Sequence, residues 1–419
     1  MLLFIYLIVF LLFYKSQNVK YKPVFKFILG LYIVSVICAI ICWYCFPEYS
    51  RRYPLSFPAI VYHVLVIVVM LLPLSKYDKK IKVEKIDISY STLKPFLWFL
   101  IVISIISIIS SFYTYSVIYQ SGVSIVDGRN ASIAGDSFML ITKPPGSILS
   151  HISAIASEIC YISLFFAFYI KCFYPKERLM FRLLLISSTV AVFWQLEWFG
   201  RENIVRFIFD FIIVFLMFRQ FISKQALKVI KKYAVIGGGI VGAVFIAITL
   251  SRFDSEVFEA GPIYGVLSYA GQGFIYFSNY FDSFSLTPSG DGWQKMFTYF
   301  FPDREYSIFN TGAQSTVDAA FNMFKTYVGT FIGPFGMFEA LIPLGIMTIF
   351  CHIVGSMKSS SPFFYIYILW IYRFFSMGIF YWIDKWNNGD RILCILLILF
   401  LNIIYNLFKT NHRYYHVKN

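Results

Sequence analysis

Two ionic groups at helical spacing crowd the turn between a pair of apolar runs: Glu197 with Arg201, four residues on, and Arg206 with Asp210, again four apart. Residues at that spacing meet on one face of a helix, so each pair can neutralise itself where charge is costly. The same residues can do chemistry. A guanidinium grips phosphate oxygens through a planar fork, and Glu202, next to Arg201, can take a proton. Structural pairing and an anionic headgroup at a membrane surface are both open for this cluster.

Other residues invite the same question. Arg373 lies deep in an apolar run, flanked by Tyr372, Phe374 and Phe375; an arginine at such depth faces a protein interior or a cavity, where it pairs with a carboxylate or binds an anion. Glu158 shares a helical face with His151, seven residues earlier, and either could serve as a general base or be a buried hydrogen-bonding group. Arg129, Arg252 and Arg304 are basic residues of the loops, each with an acidic neighbour (Asp127, Asp254, Asp303, Glu305) that it can simply offset. Tyr276, Trp293 and Tyr299 offer flat apolar faces suited to sugar rings, and suit a membrane interface equally well.

Several tempting patterns carry no chemistry. Gly237, Gly239 and Gly242 spell a dinucleotide fingerprint, but inside an apolar run with no strand before it, where close helix packing is the better reading. Cys38, Cys42, Cys45, Cys160, Cys172, Cys351 and Cys394 lie in or beside apolar runs without paired spacing, which indicates neither a disulfide framework nor a zinc site. Asn130-Ala131-Ser132 is a glycosylation sequon that matters only in a host that glycosylates secreted chains. Signatures of zinc hydrolases, serine nucleophiles and nucleotide-binding loops are missing, so no metal or cofactor is expected.

These residues have to be held by membrane-spanning helices. The chain is 59% hydrophobic, 21% aromatic and only 14% charged, with mean hydropathy +0.70, far from the composition of soluble domains. Apolar runs predict an all-α, polytopic bundle of about eleven spans near 1–14, 25–46, 57–75, 95–118, 150–172, 180–199, 203–222, 232–251, 332–356, 362–383 and 391–408. The net charge of +14 is a topology signal rather than a nucleic-acid footprint, because Lys and Arg concentrate in alternate short loops. That alternation predicts an outer N-terminus and a cytoplasmic C-terminus. Residues 1–419 read as a single integral membrane domain without internal repeats.

The exception to the short loops is 252–331, where acidic residues outnumber basic ones two to one, opposite in sign to the loops assigned inside. It is therefore expected outside. Its many rings, broken by Gly and Pro, exclude a disordered tether. Short amphipathic helices are predicted near 263–285 and 314–328, lying at the outer interface.

The layout resembles the bacterial oligosaccharide repeat-unit polymerases, the O-antigen polymerase family. Gly200-Arg201-Glu202 opening a span, the aromatic stretch Ser268-Tyr269 to Tyr276-Phe277-Ser278-Asn279-Tyr280, and Asn322 to Phe335-Gly336 carry the likeness. Where some members have Gly after Arg and ten further residues in two external loops, this chain has Leu140 after Arg129 and Ile212 after Arg201. The resemblance implies a location in the bacterial inner membrane and, as substrate, an oligosaccharide on an undecaprenyl diphosphate carrier at the periplasmic face. A sugar hydroxyl of the incoming unit would attack the anomeric carbon while lipid diphosphate leaves, with Arg201 first, then Arg373, Arg252, Arg129 and Arg304, on the diphosphate. Glu158, Glu202 and His151 are the candidate proton acceptors. Membrane lipids and a chain-length regulator protein are the implied partners. The related O-antigen ligases share the topology and the chemistry. A flippase or transporter for the same lipid-linked sugars is the alternative of another class, and a purely structural assembly protein is a third.

Overall fold

The computed structural model describes residues 1–17, 22–51, 54–80, 89–123, 147–197, 202–222, 261–286, 326–356 and 362–380, with isolated positions elsewhere. Among them every regular element is a helix. In chain order these are α1 (Leu3–Ser16), α2 (Pro23–Cys45), α3 (Pro47–Ser50), α4 (Phe57–Leu71), α5 (Leu74–Lys80), α6 (Tyr90–Ser121), α7 (Ile148–Phe173), α8 (Arg178–Ser187), α9 (Val190–Leu196), α10 (Glu202–Phe218), α11 (Gly261–Ile275), α12 (Phe277–Phe284), α13 (Thr326–Glu339), α14 (Leu341–Ser356) and α15 (Pro362–Met377). Local chemistry sets several boundaries. Pro23 and Pro47 begin helices where no amide donor is needed. The side chains of Ser89 and Ser147 each accept from an amide of the first turn, at 3.2 Å, and Gly122 closes α6 in the left-handed region at φ 65°.

Among the described residues five helices are long and apolar enough to cross a membrane: Pro23–Cys45, Phe57–Tyr77, Tyr90–Ser121, Ile148–Phe173 and Arg178–Leu196. The protein is a helical membrane protein. The expected count of eleven is not reached among the described residues. The run 391–408 and nearly all of 232–251 lie outside them, Leu3–Ser16 and Phe364–Met377 are shorter helices, and α10 carries Glu202, Arg206 and Asp210 within its length. The expected single span 332–356 is replaced by a bent pair, Thr326–Glu339 and Leu341–Gly355, turning through 109°. Pro334 and Gly336, the latter at φ 75°, account for the break, since one lacks an amide donor and the other leaves the helical region. Counted as one broken span, the pair brings the total to six.

The chain forms two compact units. The first comprises Met1–Lys82, Phe258–Lys358 and Trp370–Gly389; the second comprises Val83–Val257, Ser359–Leu369 and Asp390–Asn419.

In the first unit, α11 runs antiparallel to α2. Tyr264 stacks beside Phe46 and Tyr49, both at 5.3 Å, Ser35 donates to the Ala270 carbonyl, and Phe274 reaches Tyr6 and Phe10 of α1 at 5.0 and 6.2 Å. The chain then breaks at Tyr276, and α12 leads away along α4 through Phe281 and Tyr62, 5.2 Å apart. The expected helix near 263–285 therefore exists, but it is packed within the bundle and broken in two rather than laid across an interface. Glycine makes this approach feasible: a Cβ on Gly271 would sit 2.5 Å from the Ala39 backbone nitrogen. The expected helix near 314–328 falls mostly outside the described residues, and only its end coincides with the start of α13.

In the second unit α6, α7 and α9 meet in an apolar cluster of Ile108, Ala156, Cys160, Val190 and Ala191. α10 runs in the same direction as α7, with Phe211 against Phe168 at 5.5 Å and Phe218 against Phe165 at 5.2 Å.

The Gly271 contact gives a direct stability test. Gly271→Val forces two helix backbones apart and is expected to cost about 1–3 kcal/mol, as overpacking does, read as a lower thermal midpoint in detergent. Gly30→Ala, where nothing lies within 4 Å of the added carbon, is expected to leave the midpoint unchanged or raise it, since Ala favours the helix by up to about 1 kcal/mol.

Candidate functional site

The second unit buries a charged centre between α7 and α10. The Arg206 side chain is 2% exposed and reaches Glu202 Oε1 at 3.1 Å through Nη2 and Glu158 Oε1 at 3.7 Å through Nη1. The bond to Glu202 has hydrogen-bond geometry, whereas the approach to Glu158 is an ion pair only. Arg206 Nε and Nη1 have no hydrogen-bond acceptor among the described residues. Glu202 is the more open carboxylate, at 33% side-chain exposure against 12% for Glu158.

Further polar groups are buried in the same unit. Glu197 is fully buried and accepts from the Ser111 hydroxyl of α6. Asn203, in the first turn of α10, donates to the Ala191 carbonyl of α9 at 3.0 Å. Asp210 is 2% exposed. The polar stripe of α6, Ser104, Ser107, Ser110, Ser111 and Thr114, is turned inward, with Ser111 and Thr114 bonding back to the carbonyls one turn earlier.

This arrangement differs from the sequence reading in its partners. Arg206 turns back to Glu202, one helical turn earlier, and across to Glu158, a residue of another helix. Glu158 and Glu202 are thus brought together around one guanidinium. His151, expected on the Glu158 face, is exposed in the first turn of α7; two helical turns, about 11 Å along the axis, separate the two positions. Arg201, Arg129, Arg252 and Arg304 lie outside the described residues, as do Trp293 and Tyr299. Arg373 is 2% exposed on α15, in the part that belongs to the first unit. Tyr276, expected as an open face for a sugar, is instead 7% exposed at the break between α11 and α12, its hydroxyl 3.3 Å from that of Tyr264. The break itself explains this: the chain turns inside the bundle, so its corner residue is covered.

A second polar centre, in the first unit, escaped the sequence reading. His63 of α4 is fully buried, with Tyr6 Oη 2.8 Å from Nδ1 and Thr326 Oγ1 2.8 Å from Nε2. Its ring stacks on Phe277 at 3.6 Å and 5°. Thr326 begins α13 at φ 60°, a strained conformation for a β-branched residue. The only signal in the sequence was a histidine inside the apolar run 57–75. Its partners lie 57 and 263 residues away, too far for spacing to reveal.

The Arg206 centre predicts an asymmetric mutational response. Arg206→Met leaves two carboxylates without their cation and is expected to destabilise the protein by about 3–5 kcal/mol, whereas the triple change Arg206→Met, Glu158→Gln, Glu202→Gln recovers most of that loss. Thermal unfolding of the purified variants in one detergent reads both outcomes.

Comparison of the sequence with models of known protein families, with curated proteins and with solved structures finds no match to any of them.

Proposed function

We propose that the protein is a membrane glycosyltransferase of the bacterial cytoplasmic membrane that polymerises oligosaccharide repeat units carried on undecaprenyl diphosphate, with its N-terminus outside. The observation that carries this reading is Arg206, a buried guanidinium whose Nε has no hydrogen-bond acceptor among the described residues, held next to the partly exposed carboxylate of Glu202. A donor seeking an anionic oxygen and a base beside it are the two groups that transfer from a lipid diphosphate requires.

In this reading Glu202 takes the proton of the attacking sugar hydroxyl. The bond from Arg206 holds that carboxylate in place, and Glu158 on the other side of the guanidinium fixes the orientation of Arg206, so Glu158 acts as a positioning residue. The hydroxyl oxygen bonds to the anomeric carbon as the bond from that carbon to the phosphate oxygen breaks, and the electron pair leaves with the lipid diphosphate. Guanidinium groups stabilise the charge that develops on the leaving oxygen. Arg201, directly before Glu202 in sequence, is the first candidate, with Arg206 behind it and Arg129, Arg252, Arg304 and Arg373 as further cations.

One observation favours a second reading, a flippase for the same lipid-linked sugars. The first unit contains a 109° bent helix pair and the broken α11–α12 segment, and discontinuous helices are a recurrent feature of transporter sites.

Gene deletion separates the two. Loss of a polymerase leaves surface polysaccharide of single repeat units, whereas loss of a flippase removes it altogether. With purified protein and lipid-linked repeat units, laddered product is expected, falling about 10²–10⁴-fold in rate for Glu202→Gln, the usual range for loss of a general base. Ladders of unchanged intensity from Glu202→Gln would remove it from the mechanism, and no ladder from the wild type would remove the polymerase reading.

A further inference from the structure

We propose that one end of the second unit, where α6 and α8 begin and α7 stops, is a binding site for the headgroup of an anionic phospholipid. The proposal does not depend on which reading of the lipid-linked chemistry holds.

Hydrogen bonds and rings fix the shape of this end. Between the last residue of α7 and the first of α8, Glu177 N–H bonds to the Tyr174 carbonyl at 3.0 Å, and Phe181 N–H bonds back to the Glu177 carbonyl at 3.1 Å. The Tyr90 hydroxyl, at the start of α6, donates to Glu177 Oε2 at 3.0 Å, and the Tyr90 and Tyr174 rings lie 5.1 Å apart. The chain leaving α10 reaches the same place, with Phe221 against Phe173 at 5.6 Å.

Cations gather here without counter-charges. Lys171 lies in the last turn of α7, Lys176 in the turn, Arg178 and Arg182 on α8, Lys94 on α6, and Arg219 just after α10. Among the described residues none of these six forms an ion pair. Glu177 stands between Lys176 and Arg178 in sequence, yet its carboxylate is engaged by the Tyr90 hydroxyl. Three of the cations converge. Lys171 Nζ is 5.3 Å from the centre of the Phe181 ring. Arg178 precedes Phe181 by three residues and so stands beside the ring that the lysine covers, and Arg182 is one turn beyond Arg178 on the same helix. Two guanidinium forks and an ammonium in one place suit a phosphate group.

The side chains below the cations make that phosphate a lipid's. On α8, Ile186 follows Arg182 by four residues and is 52% exposed; on α6, Trp98 follows Lys94 by four and is 39% exposed, with Val102 another turn on at 49%. Both helices thus place a cation near the end and an open apolar side chain one turn further in, the order of phosphate and acyl chain in a phospholipid. A soluble phosphate would gain nothing from Trp98, Val102 and Ile186. Basic residues at the end of a span also set its orientation during insertion, but that role requires no convergence on one ring. Clusters of this kind at the cytoplasmic side of spanning helices attract anionic headgroups.

The anisotropy of a trace of fluorescent phosphatidylglycerol, titrated with the full chain in neutral detergent, tests the proposal against fluorescent phosphatidylcholine. The wild type is expected to bind the anionic lipid more tightly, and molar sodium chloride to weaken that binding. The pair Arg178→Gln, Arg182→Gln is expected to weaken it about 30-fold, from about 5-fold for each basic residue removed. The pair Lys15→Gln, Lys26→Gln, which takes the same charge from exposed positions of the first unit, is expected to leave it unchanged. Folding is checked by size exclusion, and if the arginine pair does not fold, Lys171→Gln and the salt titration of the wild type decide. Equal affinity for the two lipids overturns the proposal. So does a folded arginine pair that binds like the wild type, the result expected if these cations act only during insertion. Equal loss in the Lys15, Lys26 pair would show that net charge alone is read, and displacement by inorganic phosphate as effective as by unlabelled phosphatidylglycerol would show a soluble anion as ligand; either also overturns it. None of these outcomes bears on the polysaccharide ladder, which reads a different reaction.

Discussion

A guanidinium inside an apolar helical unit has to find its counter-charges there, and Arg206 finds them in Glu158 and Glu202. An unpaired charge at the centre of a bilayer costs about 2.5–3.5 kcal/mol even on the mildest scales, so the pairing restricts where α10 can sit against α7. Once Arg206 is opposite Glu158, the two helices run in the same direction, and the far end closes with Phe221 on Phe173. The apolar packing then follows a register that the ion pair has limited. Burial of Asn203 against the Ala191 carbonyl ties the start of α10 to α9 and completes the anchorage.

The first unit obeys the companion constraint, that backbone amides and carbonyls without water need partners in the protein. Its interior contains helix ends, and these are satisfied locally. The amides of Thr326 and Tyr327 bond to the carbonyls of Phe380 and Gly378, and that of Met337 bonds to Ser285. Close approach is a condition of such pairing. Gly271 against Ala39 and Gly333 beneath the Tyr280 hydroxyl remove the side chains that would otherwise hold these segments apart. Broken helices and buried glycines are thus two parts of one solution.

The two polar centres differ in the chemistry they can support. The Arg206 centre is ionic and includes a partly exposed carboxylate. The His63 centre is fully enclosed, with hydroxyl groups at both nitrogens, which ties α1, α4 and α13 together and leaves no room for a large molecule.

Composition and apolar runs determined much by themselves: a helical membrane chain, the spans from α2 through α9, and the identities of Glu158, Glu202 and Arg206 as costly residues in need of a reason. A run of apolar residues has one low-cost fate in a membrane, and a charge within it is visible at once. The break of 332–356 was marked only by Pro334 and Gly336, which a straight span can also tolerate, and the inward packing of 261–284 depended on Gly271 meeting Ala39 from a distant part of the chain. Tertiary structure alone chose the partners between helices: Glu158 across from Arg206, Ser111 on Glu197, and Tyr6 with Thr326 on His63. Helical spacing reports neighbours within one helix, whereas hydrogen bonds and ion pairs between helices depend on rotation and depth, which only packing sets.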